Sequence, residues 1–288
     1  MRSGILFALV SLAFAGFLDV SYKVFANRGL SRGCFLSAMG VVWLVLQAAV
    51  LAGTDQRLTL SSASWLFGLT AGVAVTLSNL AFIESMTVLN VSLSSTVYRL
   101  NTIGVMVLGL VFLGESVSLL NFAGIGLGIA AVLLLYQRTP GTDQETTSRA
   151  VLFLGIAVFA SAARATFGVL TKAGLNAGAD ATSLLLIAAL CWAVGGIVYA
   201  LVWERDLRFT PKGLGYSLLA GLLVFGTVNS LIAALASADA TLVIPIANLS
   251  FLVALSVGVC LRLEVLTRQK IMAMVLAVFA IWALSASG

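Results

Sequence analysis

Residues 23–29 read Lys-Val-Phe-Ala-Asn-Arg-Gly, and residues 172–178, 149 positions later, read Lys-Ala-Gly-Leu-Asn-Ala-Gly. The same offset places other matched residues: Trp43 on Trp192, Gly72 on Gly221, Leu100 on Leu249, Gly109 on Gly258 and Glu115 on Glu264. Lysine, asparagine, tryptophan and glutamate are scarce in this apolar chain, so composition alone does not explain their return at one spacing. A period this long is typical of a duplicated domain, because solenoid repeats run about 20 to 50 residues.

The composition places the duplicated unit in a lipid bilayer. Apolar residues make up 61% of the 288 residues and charged residues 9%, whereas soluble globular domains carry about 25% charged residues. Apolar runs near the roughly 20 residues that a helix needs to cross the hydrocarbon core recur along the chain. The predicted spans are 4–25, 34–53, 65–86, 91–113, 118–137, 150–172, 183–203, 214–236, 240–261 and 268–286. The predicted fold is an all-α membrane protein with ten transmembrane helices.

These spans divide into two five-helix repeats, residues 1–137 and 150–288, joined by a polar linker at 138–149. Because five is an odd number of crossings, the second repeat enters the membrane from the opposite side, so we expect inverted repeats. In secondary transporters such repeats enclose a site near the midplane, which is exposed to each side in turn. The first apolar run also fits a signal peptide, but its match to 150–172 favours a first helix of the fold.

Several function classes are disfavoured by what the sequence lacks. The chain has no histidine, which removes the Ser-His nucleophile and the usual zinc-ligand sets. Cys34, Cys191 and Cys260 lie in separate spans without metal-site spacing. There is no phosphate-binding Gly-x4-Gly-Lys-Ser/Thr run, and no domain outside the membrane with a basic surface for nucleic acid. We expect no enzyme activity, no cofactor and no metal.

Two kinds of residue recur at equivalent places in the repeats. Lys23 and Lys172 lie late in each first helix, and Gly114-Glu115 closes the fourth helix before the glycine-rich fifth. This pattern resembles the EamA-like permeases, the ten-helix branch of the drug/metabolite transporter superfamily, over essentially the whole chain. Two positions depart from the family pattern: Leu263-Glu264 replaces Gly-Glu, and Thr96 stands where the family often has the proline seen at Pro245.

The resemblance implies export or exchange of small metabolites without fixing one substrate. It implies a central cavity between helices 1–4 and 6–9, with helices 5 and 10 at the periphery. The partners are then a small-molecule substrate and the bilayer. The Gly124-x3-Gly128 spacing permits close helix packing. We expect it to serve packing within a monomer, with a homodimer as the alternative.

Charged residues inside the spans give the sharpest indication of a site, because a charge at a helix centre costs about 2.5 to 3.5 kcal/mol on insertion scales. Arg99 lies eight residues into the fourth span, and Asp19 lies six residues from the end of the first. At the rise of an α-helix, both residues lie about 9 to 12 Å deep from the same membrane face. At this similar depth they can form an ion pair. The pair is either a permanent structural ion pair or a substrate-binding or coupling pair, since guanidinium suits carboxylate or phosphate recognition.

Arg164 is a second deep cation, without an acidic neighbour in its span. Its expected partner is Asp19, an anionic substrate or backbone carbonyl groups. Ala15 matches Arg164 in the first repeat, and Gly168 matches Asp19. The charges therefore break the repeat symmetry, as a site for one ligand must.

The remaining charged residues have structural interpretations. Lys23 and Lys172 lie near helix ends, where a lysine can snorkel to the interface, although Lys23 is kept as a candidate. Glu84 is interpreted as a counter-ion, and Glu115 and Glu264 as caps or loop anchors.

Trp43 and Trp192 are matched and lie in mid-span, where each indole N–H needs a partner in the protein or in a wet cavity. Facing inward they would form flat walls for an apolar side chain; packing against lipid is the alternative. The candidate substrate-binding residues are Asp19, Tyr22, Lys23, Trp43, Asn79, Tyr98, Arg99, Arg164, Trp192 and Asn248.

These residues predict a secondary carrier that exports a small zwitterionic or anionic metabolite, such as an amino acid, by alternating access. An exporter of cationic drugs is the alternative within this class. A non-transporting membrane component, such as an accessory subunit or an intramembrane enzyme, is the alternative from another class.

The basic residues predict the orientation in a plasma (bacterial inner) membrane. One face carries Arg2 and Arg57. The loops of the other face carry Arg28, Arg32, Arg138, Arg149, Arg205, Arg208, Lys212, Arg262, Arg268 and Lys270. The positive-inside rule places the richer face in the cytoplasm, so both termini are expected outside it. The usual family topology has cytoplasmic termini, and this prediction departs from it.

Overall fold

Helices make up nearly all of the structure. The computed structural model describes residues 2–26, 30–53, 59–89, 94, 97–134, 147–260 and 266–286. The helices are α1 (Arg2–Ala26), α2 (Arg32–Gly53), α3 (Ser62–Ser85), α4 (Val97–Leu113), α5 (Leu119–Leu134), α6 (Thr147–Asn176), α7 (Ala181–Glu204), α8 (Pro211–Ser237), α9 (Ala240–Cys260) and α10 (Arg268–Ala286). No residue in the described ranges is in a β-strand, so the predicted all-helical class is confirmed.

Eight of these helices are long and apolar enough to cross a membrane, namely all except α4 and α5, which are apolar but shorter. Large apolar side chains cover the outside of the helices; Phe112 is 74% exposed and Leu119 87%. A helix satisfies its own backbone hydrogen bonds, so such a surface is stable against lipid. The chain is a multi-pass membrane protein.

The helices begin at side-chain caps that follow from the sequence. Ser61 accepts a hydrogen bond from the Ser64 N–H before α3, and Thr210 accepts one from the Gly213 N–H before α8. Each cap satisfies a backbone donor that the first helical turn leaves free. Ser61 and Thr210 are also 149 positions apart, the offset that relates the matched residues of the sequence.

The most extensive helix contacts join one half of the chain to the other. Helix α1 packs along α8 and α3 along α6, while α2 packs on α7 and α5 on α10. Helix α9 lies against α1, and α4 lies against α6. We call α1, α8 and α9 the 1-8-9 group, and α3, α4 and α6 the 3-4-6 group. Helices α2 and α7 connect the two groups.

Glycines allow the closest helix contacts. At the crossing of α2 and α7, a Cβ on Gly40 would lie 2.6 Å from the Ala193 nitrogen. On α5, a Cβ on Gly124 would lie 2.7 Å from Leu284 Cγ of α10. Gly124 of α5 therefore packs closely against α10 within the chain.

Helix α9 is interrupted near its middle, and α4 is interrupted close to the start of its described range. Helix α9 consists of Ala240–Asn248 and Phe251–Cys260, separated by a turn at Leu249 and Ser250. Helix α4 has a turn at Leu100, the position matched to Leu249. The spans predicted at 91–113 and 240–261 did not indicate these turns. A broken helix leaves backbone groups free, and the free groups lie beside the cavity described next.

Candidate functional site

A cavity of about 80 Å³ lies among α1, α3, α4, α6, α7, α8 and α9. Most of the candidate residues line it: Asp19, Tyr22, Asn79, Tyr98, Arg99, Arg164, Trp192 and Asn248. Of the other two candidates, Trp43 is not in the lining, and the side chain of Lys23 lies outside the described residues. The structure thus gathers residues from both halves of the chain at one place.

Arg99 and Asp19 form an ion pair in this cavity. The Arg99 Nη2 donates to Asp19 Oδ2, and the two side chains are 12% and 32% exposed. The Arg99 Nη1 donates to the Asn248 carbonyl and to Ser250 Oγ, both at 2.8 Å. Ser250 Oγ in turn lies 3.2 Å from Asp19 Oδ2. The pair predicted from helix depth is present, and Arg99 also binds the break in α9.

Two carboxamides join the interruptions of α4 and α9. The Asn248 Nδ2 donates to Asn101 Oδ1 at 2.7 Å and to Thr102 Oγ1 at 2.9 Å. The Asn101 Nδ2 donates to the Tyr98 carbonyl at 2.8 Å. Asn101 is 1% exposed. The polar groups that line the cavity on this side are therefore held in place by neighbouring side chains.

Tyr98 and Asn79 occupy the α3 and α4 side of the cavity. The Tyr98 ring stacks on Phe82 with centroids 4.1 Å apart, and its hydroxyl lies 3.3 Å from Ser78 Oγ. The Asn79 Nδ2 donates to the Val75 carbonyl of its own helix at 2.8 Å. Both residues add polar groups near Arg99.

Arg164 faces the cavity without an ion-pair partner among the described residues. Its guanidinium carbon lies 5.2 Å from the ring centre of Phe167, one turn further along α6. Of the three partners expected for Arg164, Asp19 does not form an ion pair with it in this structure, because Asp19 pairs with Arg99. Among the described lining residues, Asp19 offsets Arg99, so Arg164 leaves one net positive charge.

Trp43 and Trp192 contact each other. Their rings pack edge to face, with centroids 5.7 Å apart and planes at 86°. Trp192 lines the cavity, whereas Trp43 is fully buried behind it. Neither indole N–H has a partner among the described residues. The prediction that both rings wall the cavity is therefore wrong for Trp43, because the two matched helices α2 and α7 cross too closely to leave space between the rings.

Two glutamates have the structural roles expected of them. Glu115 accepts the N–H groups of Ala240 at 2.8 Å and Thr241 at 2.9 Å, and so caps the start of α9. Glu84 pairs with Arg32 at 3.0 Å.

Lys172 is buried rather than snorkelling. Its Nζ donates to the carbonyls of Leu235 at 2.7 Å and Ala238 at 2.9 Å, at the end of α8. Lys172 is only 9% exposed, so the expected reach to the interface is wrong. The corresponding Lys23 side chain and Glu264 lie outside the described residues.

The cavity has an apolar wall that sequence reasoning missed. Val224, Val228 and Leu231 of α8 supply it. Their helical spacing is that of any buried helix face, so no signal separated them from ordinary core residues. Ser250 was also missed, although its place directly after the matched Leu249 offered a clue.

A wider vestibule of about 480 Å³ lies where α1 and α3 end and α2 begins. Tyr22 and Phe82 line both the vestibule and the cavity, so they stand between the two. At the opposite face the start of α1 packs tightly on the end of α8, since a Cβ on Gly4 would lie 2.7 Å from Ala238 Cβ. Among the described residues, a vestibule therefore lies at one face, while α1 packs closely on α8 at the opposite face.

Comparisons with known proteins agree with this architecture. The model of the EamA-like transporter family matches residues 2–137. A protein of Sinorhizobium sp, named as an uncharacterized transporter in the cobO 3′ region, is 30% identical over 131 residues; the match covers 44% of this chain and 92% of that protein. A crystal structure of another protein has a TM-score of 0.84 at 11% identity, covering 100% of this chain and 98% of that chain. At that identity the likeness shows a shared fold alone.

Proposed function

We propose that this chain, which belongs to the EamA-like transporter family, is a secondary carrier that exports an amino acid or a similar zwitterionic or anionic solute. Family membership makes the chain a membrane transporter and not an enzyme. The observation that carries the solute class is Arg164, a cavity cation without a carboxylate partner among the described residues. A desolvated charge is costly unless it is paired, and a solute carboxylate can accept two guanidinium hydrogen bonds.

The other cavity residues fit the remaining parts of such a solute. Both hydrogen bonds that the structure gives Asp19 end on Oδ2, so Oδ1 can accept an ammonium group. Trp192, Val224 and Val228 offer an apolar wall for a side chain. A cavity with one net positive charge disfavours the cationic-drug alternative, because a cation gains nothing from Arg164. A cavity that gathers charged residues from several helices disfavours the accessory-subunit alternative.

We infer further that ten helices cross the membrane as two inverted repeats, including the shorter α4 and α5. The helix contacts support this arrangement, because exchanging the halves turns the α1–α8 contact into the α6–α3 contact and leaves α2–α7 and α5–α10 unchanged. The Sinorhizobium relative is about one repeat long, since the 131 matched residues make up 92% of it. Two inverted units supply two equivalent arrangements, which is the basis of alternating access.

The Lys/Arg distribution supports an orientation with the vestibule in the cytoplasm of a plasma membrane. Arg32 in the vestibule lining, Arg205 and Arg208 between α7 and α8, and Lys212 at the start of α8 lie on that face. A vestibule open to the cytoplasm corresponds to the state that loads a solute for export.

A ligand-stabilisation screen of the purified protein tests the solute class. Amino acids should raise the melting temperature, and phosphorylated metabolites and lipophilic cations should raise it less, because a ligand stabilises the folded state in proportion to its affinity. Arg164→Gln should remove the effect of carboxylate ligands. Arg208→Gln is the matched control, since Arg208 is 85% exposed and pairs with Asp206 outside the cavity. Stabilisation by lipophilic cations alone would contradict the proposal.

A further inference from the structure

The face opposite the vestibule is closed by the corner between α8 and α9, and two charged side chains hold that corner. Lys172 binds the end of α8, and Glu115 binds the start of α9. Lys172 belongs to α6 and Glu115 follows α4, so both extend from the 3-4-6 group. The corner belongs to the 1-8-9 group. These contacts therefore join the two groups at the closed face, whereas at the other face the vestibule separates the ends of α1 and α3.

Both side chains are charged and buried, yet their partners are neutral. Lys172 and Glu115 are each 9% exposed, and neither has an ion-pair partner in the part of the chain that the structure describes. Each charge matches its helix end, since the carbonyls at the end of α8 carry partial negative charge and the N–H groups at the start of α9 carry partial positive charge. When such a contact opens, water solvates both the charged side chain and the backbone groups at the helix end. Because these partners are neutral, opening leaves no opposite charge buried without a partner. Such a contact suits a joint that opens and closes.

We propose that Lys172 and Glu115 form the gate of this face. They hold the α8–α9 corner while the vestibule is open, and they release it when the vestibule closes, so that the cavity opens beside the corner. The inference rests on the proposed alternating-access function. Lys172 and Glu115 are among the residues that carry the family resemblance. The inference assigns them a role in the conformational change, outside the solute site.

Two cysteine reporters distinguish the faces. Ile83→Cys introduces a thiol into the vestibule lining. Thr241→Cys introduces one at the corner, where Thr241 is 1% exposed and binds Glu115 through its backbone N–H. Each reporter is placed in a chain whose own cysteines are changed to serine: Cys34, Cys191 and Cys260. The protein in lipid nanodiscs is treated with a membrane-impermeant methanethiosulfonate, without solute, and the labelling rates are measured by mass spectrometry.

Lys172→Gln and Glu115→Gln should each weaken the closed corner, because a neutral hydrogen bond replaces a charge-assisted one. The labelling rate of the Thr241→Cys reporter should rise about tenfold as the population shifts, and the rate of the Ile83→Cys reporter should fall. Lys212→Gln is the matched control. Lys212 is an exposed lysine at the other end of α8, so its substitution should change neither rate.

Opposite changes at the two reporters support the gate. If both substitutions lower thermal stability and leave both rates unchanged, or if both rates rise together, Lys172 and Glu115 are only helix caps and the inference is wrong. The labelling contains no solute, so its result does not depend on the solute class. If no amino acid stabilises the protein but the two labelling rates change in opposite directions, the proposed substrate is wrong and the proposed gate is still supported.

Discussion

At the residue scale, the Arg99 guanidinium connects three helices through one side chain. It binds Asp19 of α1 and the carbonyl of Asn248 at the break of α9, while its own backbone belongs to α4. The Asn248 carbonyl is available because the helix stops there. The ion pair therefore serves the packing of the site as well as its charge balance.

Removing either member of this pair should be more damaging than removing both. Arg99→Ala and Asp19→Ala should each abolish transport and lower the free energy of unfolding by roughly 1 to 3 kcal/mol, the cost of leaving a buried polar partner unsatisfied. The lower part of that range applies to Asp19, whose side chain is 32% exposed and therefore partly screened by solvent. Transport in proteoliposomes and chemical unfolding measure the two effects. Additive stability losses in the double mutant would exclude direct coupling.

The two tryptophans should separate binding from stability. Trp192→Phe should weaken the binding of solutes with large apolar side chains by about tenfold, the scale of a small volume change in an apolar pocket. Trp43→Phe should lower the melting temperature and leave affinity unchanged, because Trp43 is fully buried outside the cavity lining. Calorimetric titration and thermal unfolding compare the matched pair. If both variants lose solute affinity to the same extent, Trp43 is part of the binding site.

Charge made part of this site predictable from the sequence. Asp19, Arg99 and Arg164 are costly in a membrane, so their presence alone indicated a site, and helix depth brought the first two together. The partners of Lys172 could not be found in this way, because they are backbone carbonyls that no side-chain pattern marks. The apolar wall on α8 could not be predicted either, because its residues have the same types and spacing as lipid-facing or core residues.

At the element scale, the close crossing of α2 and α7 depends on a glycine, Gly40, which has no side chain at the contact. Gly40→Ala should lower the free energy of unfolding by about 1 to 3 kcal/mol, the usual cost of overpacking, because the new Cβ would lie 2.6 Å from a backbone nitrogen that cannot move aside. Gly155→Ala is the matched control. A Cβ on Gly155 would meet nothing within 4 Å, so this change should be neutral or slightly stabilising. Equal effects in chemical unfolding would show that α2 and α7 can separate freely.

The helices themselves followed from hydropathy, but their interruptions did not. An apolar window reports that a segment is buried in lipid or protein and says nothing of a missing backbone hydrogen bond. Pro245 marked a weak point in α9, since proline lacks an N–H, yet the turn occurs four residues later at Leu249. The contacts of α1 with α8 and of α3 with α6 could not be predicted from the sequence either, because they join helices that are far apart along the chain.

At the scale of the whole molecule, the vestibule lies at one face, and Lys172 of α6 binds the end of α8 at the other. In the proposed alternating access, a rocking motion of the 1-8-9 group against the 3-4-6 group would bring the ends of α1 and α3 together and would separate the α8–α9 corner from α6. A solute shifts this balance only if it binds one arrangement more tightly than the other. Arg164 of the 3-4-6 group and Asp19 of the 1-8-9 group both line the cavity between these groups, so the proposed solute would contact both groups.

The distribution of basic residues makes a prediction about the whole molecule, because the face with more lysine and arginine remains in the cytoplasm. A reporter enzyme that is active only in the cytoplasm should be silent when fused after Gly288. The same reporter inserted in the linker at 138–149 should be active, and this insertion controls for expression and membrane insertion. A strong signal from the C-terminal fusion with a silent linker would reverse the orientation. The vestibule would then face away from the cytoplasm, and the structure would represent the state that releases an exported solute instead of the state that loads it.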